Sequence, residues 1–292
     1  MSKRVTTMFR ELLYSPDILE LPGVYDAFSA KIAEKAGFNA ITMGGYQVSA
    51  SLLGEPDVGY LTLTEMAYIL KKICDAVKIP VLADADTGYG NFMNVRRMVK
   101  EYEDAGAAAI FIEDQEWPKR CGHMEGKRLI SVDEHCMKIK AAVESKRDPD
   151  LVIMARTDAR AVSGLEDAIY RATKYAEAGA DMLFVEAPQS IEEMKHIVSS
   201  LKSLGKPLLA NMIERGKTPL LTSKELQNIG FAAVAFPVSA IYSAAKTFTA
   251  VFETIKKDGS TKNISDKMSS FEEFNSLIGL PDYLEIEKKY KL

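Results

Sequence analysis

The amino-acid sequence predicts an α/β protein: a closed (β/α)8 barrel of the TIM type followed by C-terminal helices. Three observations support this fold class. Short apolar runs recur eight times along the chain, amphipathic stretches long enough for helices separate most of them, and no glycine-rich phosphate loop follows the first run. A doubly wound sheet usually has fewer strands and begins with such a loop, so the pattern favours the barrel.

The eight candidate strands are apolar on both faces, as a parallel sheet covered by helices requires. In chain order they read LELPGVYDA, FNAITMGG, IPVLADAD, AAAIFIED, LVIMARTD, DMLFVEA, PLLANMI and AAVAFPV. The clearest helices between them are FSAKIAEKAG, LTEMAYILKKICDAV, VRRMVKEYEDAG and LEDAIYRATKYAEAG. Strand and helix therefore alternate, which is typical of parallel βα units.

Several predicted helices end on glycine just before a strand. The segments EKAGFNAI, EDAGAAAI and AEAGADML share this ending, and QNIGFAAVA is a looser copy. Glycine adopts positive φ without steric cost, so it is common just after the last helical turn. We therefore predict helix ends at Gly37, Gly106, Gly179 and Gly230. Residues 1–245 are predicted to form the barrel, and residues 246–292 a helical extension that packs on it or on a neighbouring subunit.

Composition limits the classes of protein to consider. The chain has 292 residues, 47% of them hydrophobic, with 37 Lys and Arg against 41 Asp and Glu and no basic block, so we expect no nucleic-acid partner. Its three cysteines fit no disulfide framework. No segment resembles a signal peptide or reaches the roughly 20 apolar residues of a membrane span. The prediction is a soluble cytoplasmic protein without a membrane partner.

Polar residues end most of the predicted strands, where barrels of this kind have their active sites. Strand three ends with Asp84 and Asp86, and strand four with Glu113. Three carboxylates with room for water are typical of a Mg²⁺ or Mn²⁺ site. A single strand-end carboxylate could instead cap a helix or pair with arginine. Further polar residues at strand ends are Asp114, Gln115, Arg156, Thr157, Asp158, Glu186, Asn211 and Glu214.

The loop after strand four, within IEDQEWPKRCGHMEGKR, contains Cys121 and His123. It has no periodicity, and Gly122 and Gly126 could act as hinges, so we predict a mobile lid over the site. Four cations close in sequence favour a thiolate and hence a reactive cysteine. They are Lys119, Arg120, Lys127 and Arg128.

Other interpretations of the cysteines and histidines remain open. Cys121 and His123 could bind zinc together with His135 and Cys136, although this spacing fits no common zinc finger. Cys74 and Cys136 lie on predicted helices and are expected to pack, and His196 is expected to be solvated on an outer helix.

Four motifs, DADTGYGN, IEDQ, KRCGH and ARTDA, resemble the isocitrate lyase and phosphoenolpyruvate mutase superfamily, and the resemblance extends from about Pro22 to Gly279. KRCGH is specific to its carbon–carbon lyase branch, which includes 2,3-dimethylmalate and 2-methylisocitrate lyases. The resemblance implies a (β/α)8 barrel whose last helix is exchanged between subunits of a homotetramer. It also implies Mg²⁺ bound with a 2-keto acid or its enolate, and a gating loop that contains the cysteine.

The resemblance also implies roles for individual residues. The metal would be bound by Asp57, Asp84, Asp86 and Glu113. The implied catalytic residues are Lys119, Cys121, His123, Arg156 and Glu186. Substrate would contact Gly44, Gly45, Tyr46, Asp84, Gly122, Arg156, Asn211, Glu214 and Tyr242. The backbone amides of Gly44 and Gly45 would hold the pyruvate carboxylate, although many lyases have a serine at the position of Gly44.

Two segments indicate which substrate class the resemblance favours. PVSAIY places Tyr242 where 2-methylisocitrate lyases tend to have an arginine for an extra carboxylate, and NMIERGKTP resembles the group of dimethylmalate lyases, oxaloacetate hydrolases and petal death proteins. We therefore predict a carbon–carbon lyase that cleaves a 2-hydroxy dicarboxylate such as 2,3-dimethylmalate to pyruvate and a carboxylic acid such as propionate. Cys121 would be the general acid.

Several alternatives stay open. On the same barrel they are 2-methylisocitrate lyase, oxaloacetate hydrolase, and phosphonate mutase or hydrolase. The phosphonate enzymes have an asparagine-bearing loop in place of KRCGH. A barrel that only binds a 2-keto acid, without catalysis, is the alternative from another class.

Overall fold

Eight parallel strands close into a barrel in sequence order, which confirms the predicted fold class. The structure is a computed structural model that describes residues 3–122 and 124–290. The strands are β1 Leu19–Val24, β2 Ile41–Met43, β3 Val81–Asp84, β4 Ala109–Glu113, β5 Val152–Thr157, β6 Met182–Val185, β7 Leu208–Asn211 and β8 Ala233–Phe236. The barrel closes where β8 pairs with β1, with Ala233 opposite Leu19.

Helices connect successive strands, as the alternating pattern predicts. The α-helices of the barrel are α1 Val5–Leu13, α2 Ala27–Lys35, α3 Gly45–Val48, α4 Leu63–Ala76, α5 Phe92–Ala105, α6 Val132–Ser145, α7 Ala159–Val162, α8 Leu165–Glu177, α9 Ile191–Leu201 and α10 Ser223–Ile229. The C-terminal helices are α11 Ser239–Asp258, α12 Phe271–Leu277 and α13 Leu280–Tyr290. Shorter turns are a π-helix at Ser49–Leu53 and 3-10 helices at Lys202–Leu204 and Lys262–Lys267.

Local sequence signals set the helix boundaries. Helix α4 begins at a capping box in which Thr62 accepts from the Glu65 amide and the Glu65 carboxylate accepts from the Thr62 amide. The predicted glycine ends are confirmed, because these glycines adopt the positive φ that side chains disfavour. Their φ values are 94° at Gly37, 101° at Gly106, 108° at Gly179 and 117° at Gly230.

The core has two layers, one inside the barrel and one between strands and helices. The inner layer includes Leu82, Phe111 and Met154, and Phe9 and Leu13 of helix α1 pack into the same cluster. Helix α1 therefore closes the amino-terminal end of the barrel. The carboxyl ends of the strands, at the opposite end, are left to the loops.

The chain divides into two compact units, Met1–Ser239 and Ala240–Leu292. The second unit contains most of α11 together with α12 and α13, so the expected C-terminal helices are present. No residue described in these three helices is buried, and Phe248 and Phe252 on α11 are exposed. The predicted exchange of a helix between subunits, and the domain boundary at residue 245, stay predictions. None of the described helices combines the length and apolar character needed to cross a membrane.

Candidate active site at the carboxyl ends of the strands

A ring of polar side chains continues the apolar inner layer at the carboxyl end of the barrel. Side chains alternate between the two faces of a strand, so the residue two positions after an inner one points inward again. Leu82 is followed in this way by Asp84, Phe111 by Glu113, Met154 by Arg156, Phe184 by Glu186, and Leu209 by Asn211. The structure thus brings these predicted site residues together at one end of the barrel.

Backbone amides hold Asp84 at the end of β3. Its Oδ2 accepts from the Gly45 amide at 2.9 Å, and its Oδ1 accepts from the Asp86 amide, also at 2.9 Å. An added Cβ at Gly45 would lie 3.3 Å from Asp86 Oδ1 and 3.4 Å from Asp84 Oδ2. Glycine therefore lets the backbone approach both carboxylates, and the predicted residues Gly45, Asp84 and Asp86 form one cluster.

The ammonium group of Lys119 lies among these carboxylates. Its Nζ is 2.6 Å from Asp57 Oδ2 and 2.7 Å from Asp86 Oδ1, and all three side chains are buried. Burial raises the pKa of Asp86 to about 7; Lys119 opposes the rise, and Asp84 and Asp57 add to it. Burial alone would lower the pKa of Lys119, but the carboxylates, Asp86 first, hold it well above its usual value. Lys119 therefore stays protonated in this cluster.

Glu113, at the end of β4, offers an oxygen that the protein leaves unsatisfied. Its Oε2 lies 3.2 Å from Arg156 Nη1, whereas Oε1 is buried and has no hydrogen-bond partner among residues 3–122 and 124–290. Burial raises the pKa of this carboxyl well above its usual value, although Arg156 and Lys119 oppose the rise. A buried acceptor without a donor is costly, and a divalent cation would satisfy it.

The donor set therefore fits a hard divalent cation in its chemistry, but the described residues are not in a metal-binding arrangement. No group of three or more His, Cys, Asp or Glu in the described part of the chain is spaced to hold an ion. Instead, the Lys119 ammonium lies between Asp57 and Asp86. The carboxylates near this point include the three predicted from strand ends, Asp84, Asp86 and Glu113, and Asp57, which the family resemblance adds; their role as metal ligands stays a prediction.

Arg156 connects the carboxylate cluster to the opposite wall. Its Nε and Nη2 donate to the two oxygens of Asp158 at 2.9 and 3.0 Å, and its Nη2 also lies 3.6 Å from Glu186 Oε2. Asn211 Nδ2 donates to the same Glu186 oxygen at 3.2 Å. A bidentate partner fixes the plane of a guanidinium, so Asp158 orients Arg156 towards Glu113 and Glu186.

Asp114 faces away from the barrel interior and supports this arrangement from behind. It accepts from the Thr157 hydroxyl at 2.7 Å, from the Asp158 amide at 3.0 Å and from the Tyr175 hydroxyl at 2.7 Å. Burial, followed by the nearby Asp158, raises the pKa of Asp114. The sequence identifies Asp114 only as a strand-end acid. The one signal for a different role is its place directly after Glu113, which puts the two side chains on opposite faces of β4.

The predicted lid is the loop from Glu116 to Lys127, and its two ends are joined by hydrogen bonds. The Glu116 amide donates to the Arg128 carbonyl at 2.8 Å, and Gln115 Nε2 donates to the Arg120 carbonyl at 2.8 Å. At Gly122, an added Cβ would lie 2.5 Å from Arg156 Nη2 and 2.6 Å from Glu186 Cγ. Gly122 of this loop therefore lies directly against Arg156 and Glu186.

Cys121 is half-buried, one residue before Gly122. Each of the four cations expected near its thiol has another partner. Lys119 contacts Asp57 and Asp86, Arg120 donates to the Glu125 carbonyl, Lys127 contacts Asp158, and Arg128 contacts Glu116. His123 lies outside the described residues.

The remaining predicted residues have varied surroundings. Gly44 precedes α3 at its N-terminus, and Tyr46 on that helix is half-buried. Glu214 is half-buried and accepts from the Ser239 hydroxyl, and its Oε2 has no hydrogen-bond partner in the described part of the protein. Tyr242, on α11, belongs to the second unit and is 42% exposed.

His135 is fully buried, with its ring 4.4 Å from that of Tyr175, and neither ring nitrogen has a partner among the described residues. The zinc alternative therefore finds no ligand cluster in the residues described. Cys136 instead donates to the Lys174 carbonyl at 3.6 Å, and Cys74 packs against the core. His196 lies 2.9 Å from Glu166 on the surface, as expected of a solvated residue.

A cluster of buried charges under a loop, at the carboxyl end of a closed barrel, defines a (β/α)8-barrel enzyme. Residues 9–256 match the family described as phosphoenolpyruvate phosphomutase, and the chain belongs to this family. It is 47% identical over 281 residues to the 2,3-dimethylmalate lyase of Eubacterium barkeri, covering 96% of each chain.

Other relatives have different names. The chain is 47% identical to the chloroplastic carboxyvinyl-carboxyphosphonate phosphorylmutase of Arabidopsis thaliana, with 98% of this chain and 85% of the relative covered. It is 45% identical to the 2-methylisocitrate lyase of Aeropyrum pernix, with 96% and 89% covered.

Solved structures agree with this assignment. A crystal structure of 2,3-dimethylmalate lyase superposes with a TM-score of 0.93 at 35% identity, covering 99% of this chain and 96% of that one. A phosphonopyruvate hydrolase complex with oxalate and Mg²⁺ superposes with a TM-score of 0.87 at 30% identity, covering 99% of both chains. The predicted superfamily is confirmed, and the protein is a lyase of the isocitrate lyase and phosphoenolpyruvate mutase superfamily.

Proposed function

We propose that the protein is a Mg²⁺-dependent carbon–carbon lyase that cleaves a 2-hydroxy dicarboxylate, such as 2,3-dimethylmalate, to pyruvate and propionate. One observation supports this most strongly. Gly122 of the cysteine-containing lid lies against Arg156 and Glu186, beside the buried Glu113 oxygen that has no partner among the described residues. An acid on a loop is thus next to a site for a cation and an anionic substrate, which is what cleavage to a carbanion requires.

Mg²⁺, or Mn²⁺, would be held by Asp57, Asp84, Asp86 and Glu113. When bound, the ion supplies Lewis-acid polarisation of the substrate's oxygens. Two observations support a cation here: Glu113 Oε1 has no partner in the described part of the chain, and carboxylates crowd around Lys119. The Mg²⁺ complex of the similar phosphonopyruvate hydrolase is further support.

The protein's own residues would bind and orient the substrate. The Gly44 amide would donate to the carboxylate of the pyruvyl part, next to Tyr46, and Arg156 would donate to its oxygens. The Gly45 amide donates to Asp84 Oδ2 in this structure and would exchange that bond for one to the substrate carboxylate. On the far wall, Asn211, Glu186 and Glu214 would face the remainder of the substrate. Because Asp158 already fixes the guanidinium of Arg156 with two hydrogen bonds, this donor needs no reorientation.

Proton transfers complete the proposed reaction. A base removes the proton of the 2-hydroxyl group, the C2–C3 electron pair moves to C3, and C2 becomes the carbonyl carbon of pyruvate. Cys121 donates its thiol proton to C3, which yields the carboxylic acid product. His123 and Glu186 would align the thiol with the leaving fragment, and Lys119 would balance the negative charge of the site.

The substrate class is supported by the names of relatives and by one residue. A 2,3-dimethylmalate lyase and a 2-methylisocitrate lyase are both similar over most of the chain. The interpretation of Tyr242, which replaces an arginine of the tricarboxylate enzymes, favours the dicarboxylate, because a buried carboxylate without a partner costs several kcal/mol.

A substrate panel tests the proposal directly. Pyruvate, glyoxylate, oxalate and phosphate release would be measured with 2,3-dimethylmalate, 2-methylisocitrate, isocitrate, oxaloacetate and phosphonopyruvate. We expect the highest kcat/KM for 2,3-dimethylmalate. A higher value for 2-methylisocitrate would show that the interpretation of Tyr242 is wrong, and turnover of the phosphonate alone would establish a mutase or hydrolase. Binding of pyruvate without turnover of any compound would leave a keto-acid-binding barrel.

The assembly and the cellular location are also proposals. The superfamily and the exposed Phe248 and Phe252 on α11 support a homotetramer with an exchanged C-terminal helix. We propose the cytoplasm as its location. Light scattering of the purified protein should give four times the 32.3 kDa mass of the chain. A mass of one chain at micromolar concentration would contradict the tetramer.

A further inference from the structure

Lys127, the last residue of the lid, has a buried side chain that contacts two different parts of the protein. Its Nζ donates to Asp158 Oδ1 at 2.9 Å and to the carbonyl oxygen of Gly122. The Lys127 and Asp158 side chains are 1% and 0% exposed. A buried ammonium is costly unless its donors are satisfied, so these two contacts determine where the side chain can lie.

The Asp158 end of this contact is rigid. Asp158 already accepts two hydrogen bonds from Arg156, and Arg156 and Lys127 lower the pKa of its carboxyl to about 2 against the opposite effect of burial. These two cations therefore favour the ionised carboxylate. Because Asp158 follows the end of β5, Lys127 is attached to the barrel rather than to another loop.

The Gly122 end of the contact is next to Cys121. On one side, Arg156 and Glu186 lie so close to Gly122 that an added Cβ would overlap both. On the other, the Gly122 carbonyl accepts a hydrogen bond from Lys127. A peptide held in this way has little freedom to rotate. The position of Cys121, one residue earlier in the chain, is restricted with it.

We propose that Lys127 is a positioning residue for Cys121, acting through the Gly122 carbonyl and the Asp158 carboxylate. This inference rests on the proposed function, in which Cys121 donates a proton. The compact ammonium donates to Asp158 and to the Gly122 carbonyl from one atom. Methionine has no donor, and the larger, planar guanidinium of arginine does not reproduce the tetrahedral geometry of the ammonium in the same buried space. Lys127 does not touch the substrate in this account; it determines where the lid presents the thiol.

A matched control lies at the other end of the barrel. Lys146 also bridges an aspartate and a backbone carbonyl, since its Nζ is 3.1 Å from Asp181 Oδ2 and 3.0 Å from the Leu151 carbonyl, with a side chain 13% exposed. Lys127→Met and Lys146→Met therefore remove similar interactions, and they differ in whether the lid is involved.

The test combines steady-state kinetics with alkylation of Cys121 by iodoacetamide, followed by peptide mass spectrometry with Cys136 as internal reference. For Lys127→Met we expect kcat to fall about 10²-fold with little change in KM, because small displacements of a catalytic group have effects of this size. Alkylation of Cys121 should be faster on the order of tenfold, since the lid opens more often. Lys146→Met should change the melting temperature at most and leave both readouts at wild-type values.

Unchanged kcat and alkylation in a folded Lys127→Met protein would overturn the inference, as would equal kcat losses in both variants. If Lys127→Met fails to fold, Lys127→Arg keeps the charge, and it should still show lower kcat and faster alkylation; wild-type values would overturn the inference. If the wild-type protein cleaves no compound of the panel, the proposed function fails, and the alkylation rates alone then decide the role of Lys127.

Discussion

Two sets of ion pairs at opposite ends of the barrel, one around Lys119 and one around Arg4, differ in burial. At the carboxyl end, the side chains of Lys119, Asp57 and Asp86 are 2 to 7% exposed. At the amino end, Arg4 is 57% exposed where it contacts Asp148. Exposed pairs typically contribute about 0–1 kcal/mol to stability, whereas burying each ion costs several kcal/mol of hydration. The charges at the carboxyl end are therefore better explained by function than by stability.

The largest expected difference between the two ends is the response to metal removal. The carboxylates Asp57, Asp84, Asp86 and Glu113 would be left to bind substrate without a cation, so exhaustive chelation with EDTA should reduce pyruvate release to background. Far-UV circular dichroism should stay unchanged, because the rest of the barrel does not depend on the ion. Added Mg²⁺ should restore turnover, and full activity in EDTA would show that the metal assignment is wrong.

Substitution of the predicted general acid should have the next largest effect. Cys121→Ser keeps the size of the side chain but raises the pKa of the acid, so kcat should fall by roughly the 10²–10⁴-fold typical of lost acid catalysis. Binding of a pyruvate-like inhibitor should change little. Cys136→Ser, on α6, is the control and should have wild-type kcat. Equal losses in both variants, or nearly full kcat in Cys121→Ser, would exclude the lid mechanism.

His135, packed on Tyr175 outside the barrel strands, should affect stability in acid. Burial, followed by Lys138 and Arg171, lowers the pKa of His135 to about 3, below the 6.5 of an unperturbed histidine. Above pH 6.5 His135 is neutral in both the folded and the unfolded chain, so it does not make stability depend on pH. Below pH 6.5 only the unfolded chain takes up the proton, so the free energy of unfolding falls by about 1.4 kcal/mol per pH unit down towards pH 3.

Urea unfolding at pH 7.5, 6.5, 5.5 and 4.5 measures this loss. His135→Phe cannot take up the proton, so its stability should fall less steeply below pH 6.5 than that of the wild-type protein. His196→Gln, at an exposed histidine, should follow the wild-type slope. Parallel curves for His135→Phe and wild type would contradict the assignment of a neutral buried ring.

The smallest effect is expected at the amino end. Arg4→Ala removes contacts of 2.8 Å to Asp148 and 2.9 Å to Asp150, but because Arg4 is largely exposed the free energy of unfolding should change by about 0–1 kcal/mol. Turnover should remain at the wild-type value. A loss of kcat in Arg4→Ala would contradict the account in which only the carboxyl end of the barrel takes part in catalysis.

The fold could be predicted from sequence because its signals are local. Each strand, helix and glycine end is encoded within a few residues, and a barrel places successive units side by side. The strand-end acids follow from the same pattern, since the period of two puts Glu113 on the same face as Phe111. These features need no knowledge of long-range contacts.

The parts of the site that sequence reasoning missed depend on contacts between distant residues. Lys127 reaches Asp158, 31 residues later, and Tyr175 reaches Asp114, 61 residues earlier. Lys119 shows the same limit, because proximity in sequence predicts a cation near Cys121 but not that folding pairs this cation with Asp57 and Asp86. Which charges meet is decided by the packing of loops.

The central claim is that the carboxyl end of the barrel cleaves a carbon–carbon bond and protonates the carbanion with a positioned acid. The most direct measurement is deuterium NMR of the propionate formed from 2,3-dimethylmalate and Mg²⁺ in D₂O, after esterification with a chiral alcohol that makes the two configurations distinguishable, together with detection of pyruvate. We predict propionate with a single deuterium at C2 in one configuration, because the thiol exchanges with solvent and delivers its deuteron from one side. Propionate deuterated equally in both configurations would contradict protonation by the lid, and the absence of propionate and pyruvate would contradict the lyase itself.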